Sequence, residues 1–178
     1  FVKKLGHNHT ILEWKKLSDE GNLQAEASFA RKKLISNWAK LNNIKTVLVA
    51  HTLDDQVETI LMRFTRGSGV DGLVGMKKVS KLIDICWYRP LLKMSRDDLR
   101  NFLKIKNVKW IEDPTNQDRK YLRVKTRDVI LQLQQFGINT DLLINTSKRM
   151  ENAKVVLNDV ATEAFNKYVT LKKWGDVE

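Results

Sequence analysis

The chain has 178 residues, 42% of them hydrophobic, and carries 32 Lys and Arg against 21 Asp and Glu, for a formal net charge of +11. That length suits one domain of moderate size or a domain with an appendage; no apolar stretch nears the about 20 residues needed to cross a bilayer, and no signal-peptide pattern occurs, so the chain reads as cytoplasmic with no membrane role. The basic excess points to a polyanion, and nucleic acid fits it better than a membrane because no Lys-rich amphipathic helix stands out.

Phe1 opens the chain without an initiator Met, and residues 1–5 read as the tail of an element already under way. An alternating run at residues 9–14 predicts a strand. His7 and His9 have no third ligand nearby and read as structural. After a polar break at residues 18–22, a helix is expected from about Leu23 to Leu41, with Leu23, Ala27, Ala30, Leu34, Trp38 and Leu41 on one face. Residues 46–50 form the next strand, and a helix follows it. Strand, helix, strand, helix argues for a parallel α/β sheet with crossover helices, in which ligands gather at the carboxyl ends of the strands.

At that handover lies V-L-V-A-H-T-L-D-D-Q-V-E-T-I-L-M-R-F-T-R, residues 47–66, where His51, Asp54, Asp55 and Glu58 cluster in an otherwise basic chain. At about 100° per residue, Val57, Ile60, Leu61 and Phe64 form one apolar stripe, and the three acids lie along one edge of it. Asp54 and Asp55 suit the first turn, where a carboxylate caps free N–H groups and meets the positive end of the helix dipole. Glu58 is not explained that way. Three like charges on one flank repel, and the repulsion calls for a cation, an amine or a protonated neighbour.

The helix ends at R-G-S-G-V-D-G-L-V-G-M, residues 66–76, where Gly67 is a natural left-handed cap. This is not a phosphate loop of the helix-N-terminal kind, since it follows a helix C-terminus, but Arg63 and Arg66 make it a candidate anion or RNA contact. Residues 82–88 read as one strand, with Cys86, the only cysteine, as a small core residue. Arg89-Pro90 ends it. Ser95 then opens a helix with Asp98 three residues on, an Asp variant of the capping box, and Leu99, Phe102 and Leu103 give it an apolar face. Residues 108–111 are a short apolar piece, and E-D-P-T-N-Q-D, residues 112–118, is dense in turn formers.

The α/β layer is therefore expected over residues 1–112. A basic turn-and-helix segment, residues 113–135, carries Arg119, Lys120, Arg123, Lys125 and Arg127 with Tyr121 among them, the combination that backbone contact and base stacking require. Residues 136–178 are expected to hold one long linker helix, with apolar positions every third or fourth residue between 139 and 174, leading toward a further C-terminal region.

Together these pieces resemble the tRNA(Ile)-lysidine synthetase family of the N-type ATP pyrophosphatase superfamily. The likeness rests on A-H-T-L-D-D-Q-V-E-T (residues 50–59), R-G-S-G (66–69), R-P-L-L (89–92) and W-I-E-D-P-T-N-Q-D (110–118), with Q-A-E-A-S-F-A-R (24–31) similar to the family's alanine- and arginine-bearing helix. It covers most of residues 1–130. The resemblance implies an adenine nucleotide alpha hydrolase-like α/β domain followed by a helical segment. It also implies use of ATP and Mg²⁺ to adenylate the wobble cytidine of a tRNA(Ile) with a CAU anticodon, after which the amine of free L-lysine displaces AMP. By the same likeness His51, Asp54, Asp55 and Glu58 belong to the reaction cleft, with Mg²⁺ near Asp55 and Glu58. Arg66, Gly67, Ser68, Gly69, Arg89, Arg119, Arg123 and Arg127 would then face ATP or tRNA, and a homodimer is among the assemblies the likeness allows.

Two departures stand out. The family's phosphate loop, S-G-G-x-D-S, does not occur in the sequence, so the chain is expected to lack the N-terminal part of the catalytic domain and to be inactive alone. Where the family tends to show Arg-Asn, the chain has Arg123-Val124. Two alternatives compete: a 2-thiocytidine-forming relative, which depends on cysteine-ligated iron–sulfur chemistry that one cysteine cannot supply, and a non-catalytic basic RNA-binding module whose acids are only caps.

Overall fold

The computed structural model describes residues 2–14, 23–113 and 122–170. They fall into two compact units that are interleaved in sequence: Phe1–Val49 with Lys78–Arg89, and Ala50–Lys77 with Pro90–Glu178. The expected divisions at 112/113 and 135/136 both fall inside the second unit.

The first unit opens on a 3-10 turn, Val2–Leu5, and holds helix α1 (Leu23–Leu41) and strands β1 (Thr46–Leu48), β2 (Val79–Leu82) and β3 (Ile85–Tyr88). The sheet order is β1-β3-β2. β1 runs parallel to β3, with Val47 opposite Trp87, and β2 runs antiparallel to it, with Leu82 opposite Ile85. The α/β class and the parallel pair agree with expectation; the sheet itself is mixed.

The single strand expected over residues 82–88 is instead a hairpin whose two turn residues, Ile83 and Asp84, both have left-handed backbone (φ 50° and 60°). Two left-handed residues in a two-residue loop match the strand twist, but Asn-Gly is the usual signal for them, and Ile-Asp hides it. Ala39, Ile85 and Trp87 are buried, and Ile35, Trp38, Ile44, Val47, Val49 and Leu82 pack around them. Cys86, on the opposite face of β3 from Trp87, is half-buried, not a core residue.

α1 matches its expected bounds, yet Leu41 is 84% exposed. The helix stops there: Asn43 turns left-handed (φ 57°) and the Ile44 N–H donates back to the Ala39 carbonyl, so the buried contact is made by Ile44. The strand expected at residues 9–14 does not form. That segment takes no ladder partner among the described residues, and Ile11 is left exposed.

The second unit is helical: α2 (Leu53–Phe64), α3 (Val70–Leu73), α4 (Arg96–Ile105), α5 (Leu122–Gln135) and α6 (Thr140–Tyr168). α2 buries Val57, Glu58, Ile60 and Leu61, while Phe64, in line with them at the last turn, is exposed. α5 and α6 pack on α2, and α6 also packs on α3. α4 opens on the Ser95–Asp98 capping box the sequence predicts, although Phe102 on its apolar face is exposed. α6 starts at an Asn139 cap and ends at Tyr168 with extended Val169; the expected continuation to 174 runs outside the described residues. None of the described helices is long and apolar enough to cross a membrane.

Candidate functional site

α2 begins at Thr52, whose side chain accepts from the Asp55 N–H while Asp55 Oδ2 accepts from the Thr52 N–H (2.8 Å) and hydroxyl (2.9 Å). This reciprocal cap occupies one Asp55 oxygen. The other, Oδ1, accepts from the Arg96 guanidinium at 2.7 Å and lies 3.5 Å from that of Arg123. Asp54 Oδ2 accepts from the backbone N–H of Arg96 (2.8 Å), the first residue of α4, so it supplies a partner that the helix itself cannot. The Leu53 N–H donates to the Met94 carbonyl and fastens the two helix starts together.

Glu58 is the centre of the arrangement. Its side chain is 1% exposed, with Oε1 accepting from Arg96 (3.0 Å) and Arg127 Nε (2.6 Å) and Oε2 from Arg123 Nε (2.6 Å). Arg123 and Arg127 stand one turn apart on α5, on the face that meets α2. A buried carboxylate is tolerated only when paired and fully hydrogen-bonded, and among the described residues three guanidiniums stand against three acids here. The counter-charge demanded by the acid flank is thus met by arginines of α4 and α5.

Burial pushes the Asp55 carboxyl upward, but the Thr52 N–H, Arg96, the Thr52 hydroxyl and Arg123 outweigh it and hold it below its usual 3.8. Burial likewise works against the Arg96 charge, and Glu58 with Asp55 more than restores it.

The structure brings together Asp54, Asp55, Glu58, Arg123 and Arg127. It adds Arg96, which sequence reasoning missed; its one signal is a position just inside the Ser95 cap, where its backbone N–H needs a partner. His51 is half-buried directly before the cap. Arg66, Gly67, Ser68 and Gly69 lie beyond the far end of α2, about 16 Å along the helix axis from Asp55. Gly67 is the left-handed cap expected (φ 69°), and Arg66 is exposed. Arg63, expected with Arg66 as an anion contact, instead donates to the Gly72 and Gly75 carbonyls. Arg89 belongs to the first unit, where it donates to Ser80 Oγ and burial lowers its guanidinium pKa. Arg119 lies outside the described residues.

The donor set does not fit Mg²⁺. Both Glu58 oxygens and both Asp55 oxygens already accept from cationic or capping donors, and among the described residues no group of three His, Cys, Asp or Glu side chains is arranged to hold a metal ion. Guanidiniums occupy the space beside Asp55 and Glu58 where the resemblance implies Mg²⁺.

The first unit holds a small mixed sheet with a helix packed on it and the second holds helices gathered on an acid-bearing helix, and the chain belongs to the PP-loop domain family, whose model matches residues 1–134 and so takes in every residue of the cluster. Among individual proteins it is similar to the tRNA(Ile)-lysidine synthase of Wolbachia pipientis wMel, 41% identical over 179 residues, which cover 100% of this chain and 42% of that protein. The Ruegeria pomeroyi protein of the same name is 41% identical over 154 residues, 86% of this chain and 37% of that one. The chain therefore spans less than half the length of these relatives. Its fold is also similar to a U34-tRNA thiolase from Methanococcus maripaludis solved with its 4Fe-4S cluster, with a TM-score of 0.61 at 16% identity over 77% of this chain and 47% of that one.

Proposed function

We propose that the chain is part of an enzyme that ligates L-lysine to the wobble cytidine of a CAU-anticodon tRNA(Ile) through an ATP-dependent adenylated intermediate. The observation that carries the reading is similarity to tRNA(Ile)-lysidine synthases along the whole chain, cluster included. The chemistry of the cluster agrees with it. A free amino acid is a zwitterion, and a set of guanidiniums beside carboxylates complements both of its charges. Arg123, 40% exposed, is the guanidinium best placed to reach a carboxylate. Asp54, which spends one oxygen on Arg96, has an oxygen left to receive an ammonium. Glu58 serves as a positioning residue that fixes Arg123 and Arg127 in direction.

ATP supplies the activation of the cytidine oxygen when bound. Mg²⁺ is proposed to accompany the triphosphate, since Asp55 and Glu58 are committed to arginines. The chain alone contains no S-G-G-x-D-S sequence and is proposed not to turn over; ATP should leave its melting temperature unmoved, and a clear rise would contradict that. The proposed setting is cytoplasmic.

The test is ATP-dependent incorporation of labelled lysine by the full-length protein into unmodified tRNA(Ile), with elongator tRNA(Met) as the control. Wild-type protein that labels neither tRNA sinks the function. Asp55→Asn should abolish incorporation while Thr52→Ala, which removes the cap but keeps the carboxylate, should retain it. Near-normal activity of Asp55→Asn would remove Asp55 from the site.

A further inference from the structure

The glycine-rich stretch after α2 is tightly held. Of the carbonyls of residues 72–76, four accept from side chains: Gly72 and Gly75 from Arg63 (2.9 and 2.8 Å), Val74 from Ser147 of α6 (2.8 Å) and Met76 from Gln56 (3.0 Å). Gln56 also accepts from the Met76 N–H at 2.8 Å, so its amide imitates a backbone partner. Asp71 pairs with Lys154 of α6. The Gly69 carbonyl accepts from the N–H groups of Gly72 and Leu73, which ties the exposed turn at residues 66–69 to the clamped part. The packing admits only glycine at two points: a Cβ on Gly72 would fall 2.3 Å from Ser68 Cβ, and one on Gly75 (φ 73°) would fall 2.7 Å from Gln56 Nε2.

We propose that Arg63, with Gln56 and Ser147, is a positioning residue for the turn that presents Arg66: it does not touch RNA, but fixes the backbone of residues 67–76 so that Arg66 meets tRNA phosphate in one orientation. The inference rests on the tRNA reading above for what Arg66 meets, and on the hydrogen bonds alone for the clamp. A guanidinium with two carbonyl partners is saturated on that edge and orients a loop as a backbone would. Fixing the loop in advance removes an ordering cost from binding, so losing Arg63 acts on tRNA affinity and leaves the chemical step alone.

Two measurements on the full-length protein decide it. In Arg63→Gln, amide hydrogen exchange over residues 67–76 should quicken by about ten-fold while α4 and α5 are unaffected, and Arg63→Lys should restore part of the protection. Ser147→Ala, a smaller change, tests the same clamp if Arg63→Gln lowers overall stability. In lysine incorporation, Arg63→Gln should raise KM for tRNA about five-fold with kcat within about two-fold, and should add nothing in an Arg66→Ala background. Unchanged exchange in both Arg63→Gln and Ser147→Ala overturns the clamp; effects of Arg63→Gln and Arg66→Ala that multiply overturn action through Arg66. If wild-type protein incorporates no lysine, the function above fails and the exchange result still decides the clamp.

Discussion

Replacing Glu58 by Gln keeps the shape of the side chain and removes its charge from beneath three guanidiniums. Among the described residues the acids and arginines of the cluster number three each, so the variant removes one negative charge from that set and puts an amide N–H₂ against guanidinium donors. Breaking a buried pair by neutralising one partner costs about 3–5 kcal/mol. The lower end applies here, because the Arg96, Arg123 and Arg127 side chains are 29%, 40% and 28% exposed and can recover part of their hydration. About 3 kcal/mol in a chain of this size lowers the melting temperature by roughly 6–12 °C.

Location matters as much as size. Arg123 and Arg127 both lie on α5, so exchange of α5 amides should quicken in Glu58→Gln before that of the other helices. Arg127→Leu made in both backgrounds should show coupling of about 1–2 kcal/mol with Glu58. A loss under about 1 kcal/mol, with α5 protection intact, would mean that the cluster behaves like a solvated surface network and does not hold α5 on α2.

Asp55, held below 3.8 when folded, contributes stability that is fully present above its unfolded pKa and is lost as pH falls through the folded value. The urea midpoint of the wild type should therefore drop more steeply than that of Asp55→Asn below about pH 4; parallel profiles would show that Asp55 carries no such linkage. Gly75→Ala forces a left-handed alanine against the doubly bonded Gln56 amide and should cost about 2–3 kcal/mol, whereas Gly67→Ala, with nothing within 4 Å, should cost only about 1 kcal/mol of backbone strain in thermal unfolding. Equal losses would remove the role of Gln56. Ile83→Asn, at φ 50° in the hairpin, should stabilise by about 0.5–1 kcal/mol because Asn tolerates that backbone better; a loss would show that the packing of half-buried Ile83 outweighs the strain.

Features written in neighbouring residues were readable in the sequence. α1 follows from its apolar spacing, and the α2 start and the Ser95–Asp98 cap follow from residues within one turn of each other, where the structure forms both capping boxes. Features that depend on distant partners were not. Arg96 reaches Asp55 across 41 residues and Arg127 reaches Glu58 across 69, and no periodicity records such a pairing. The basic run at 119–127 reads as a contact for RNA backbone and bases, and the sequence does not show that Arg123 and Arg127 donate to Glu58, because formal charge says nothing of which way a guanidinium points. Arg63 shows the same limit: its neighbours suggested an anion, and its partners are carbonyls. Residues 9–14 alternate like a strand, but alternation does not supply a ladder.

α2 is the common support of both polar arrangements. Gln56 and Arg63, seven residues apart, fall within about 20° of one line, and Glu58 lies about 160° away around the helix. One face thus gathers guanidiniums from α4 and α5, and the other clamps the loop at 67–76. Val57, 2% exposed, sits between them in the apolar stripe. Val57→Ala should cost about 2 kcal/mol by leaving a cavity there, and relaxation of α2 into that cavity reaches both faces. Exchange should then quicken in α5 and in the loop together, whereas Glu58→Gln loosens α5 without the loop and Arg63→Gln the loop without α5. A Val57→Ala variant that disturbs only one of the two would show that each face is anchored independently of the helix core.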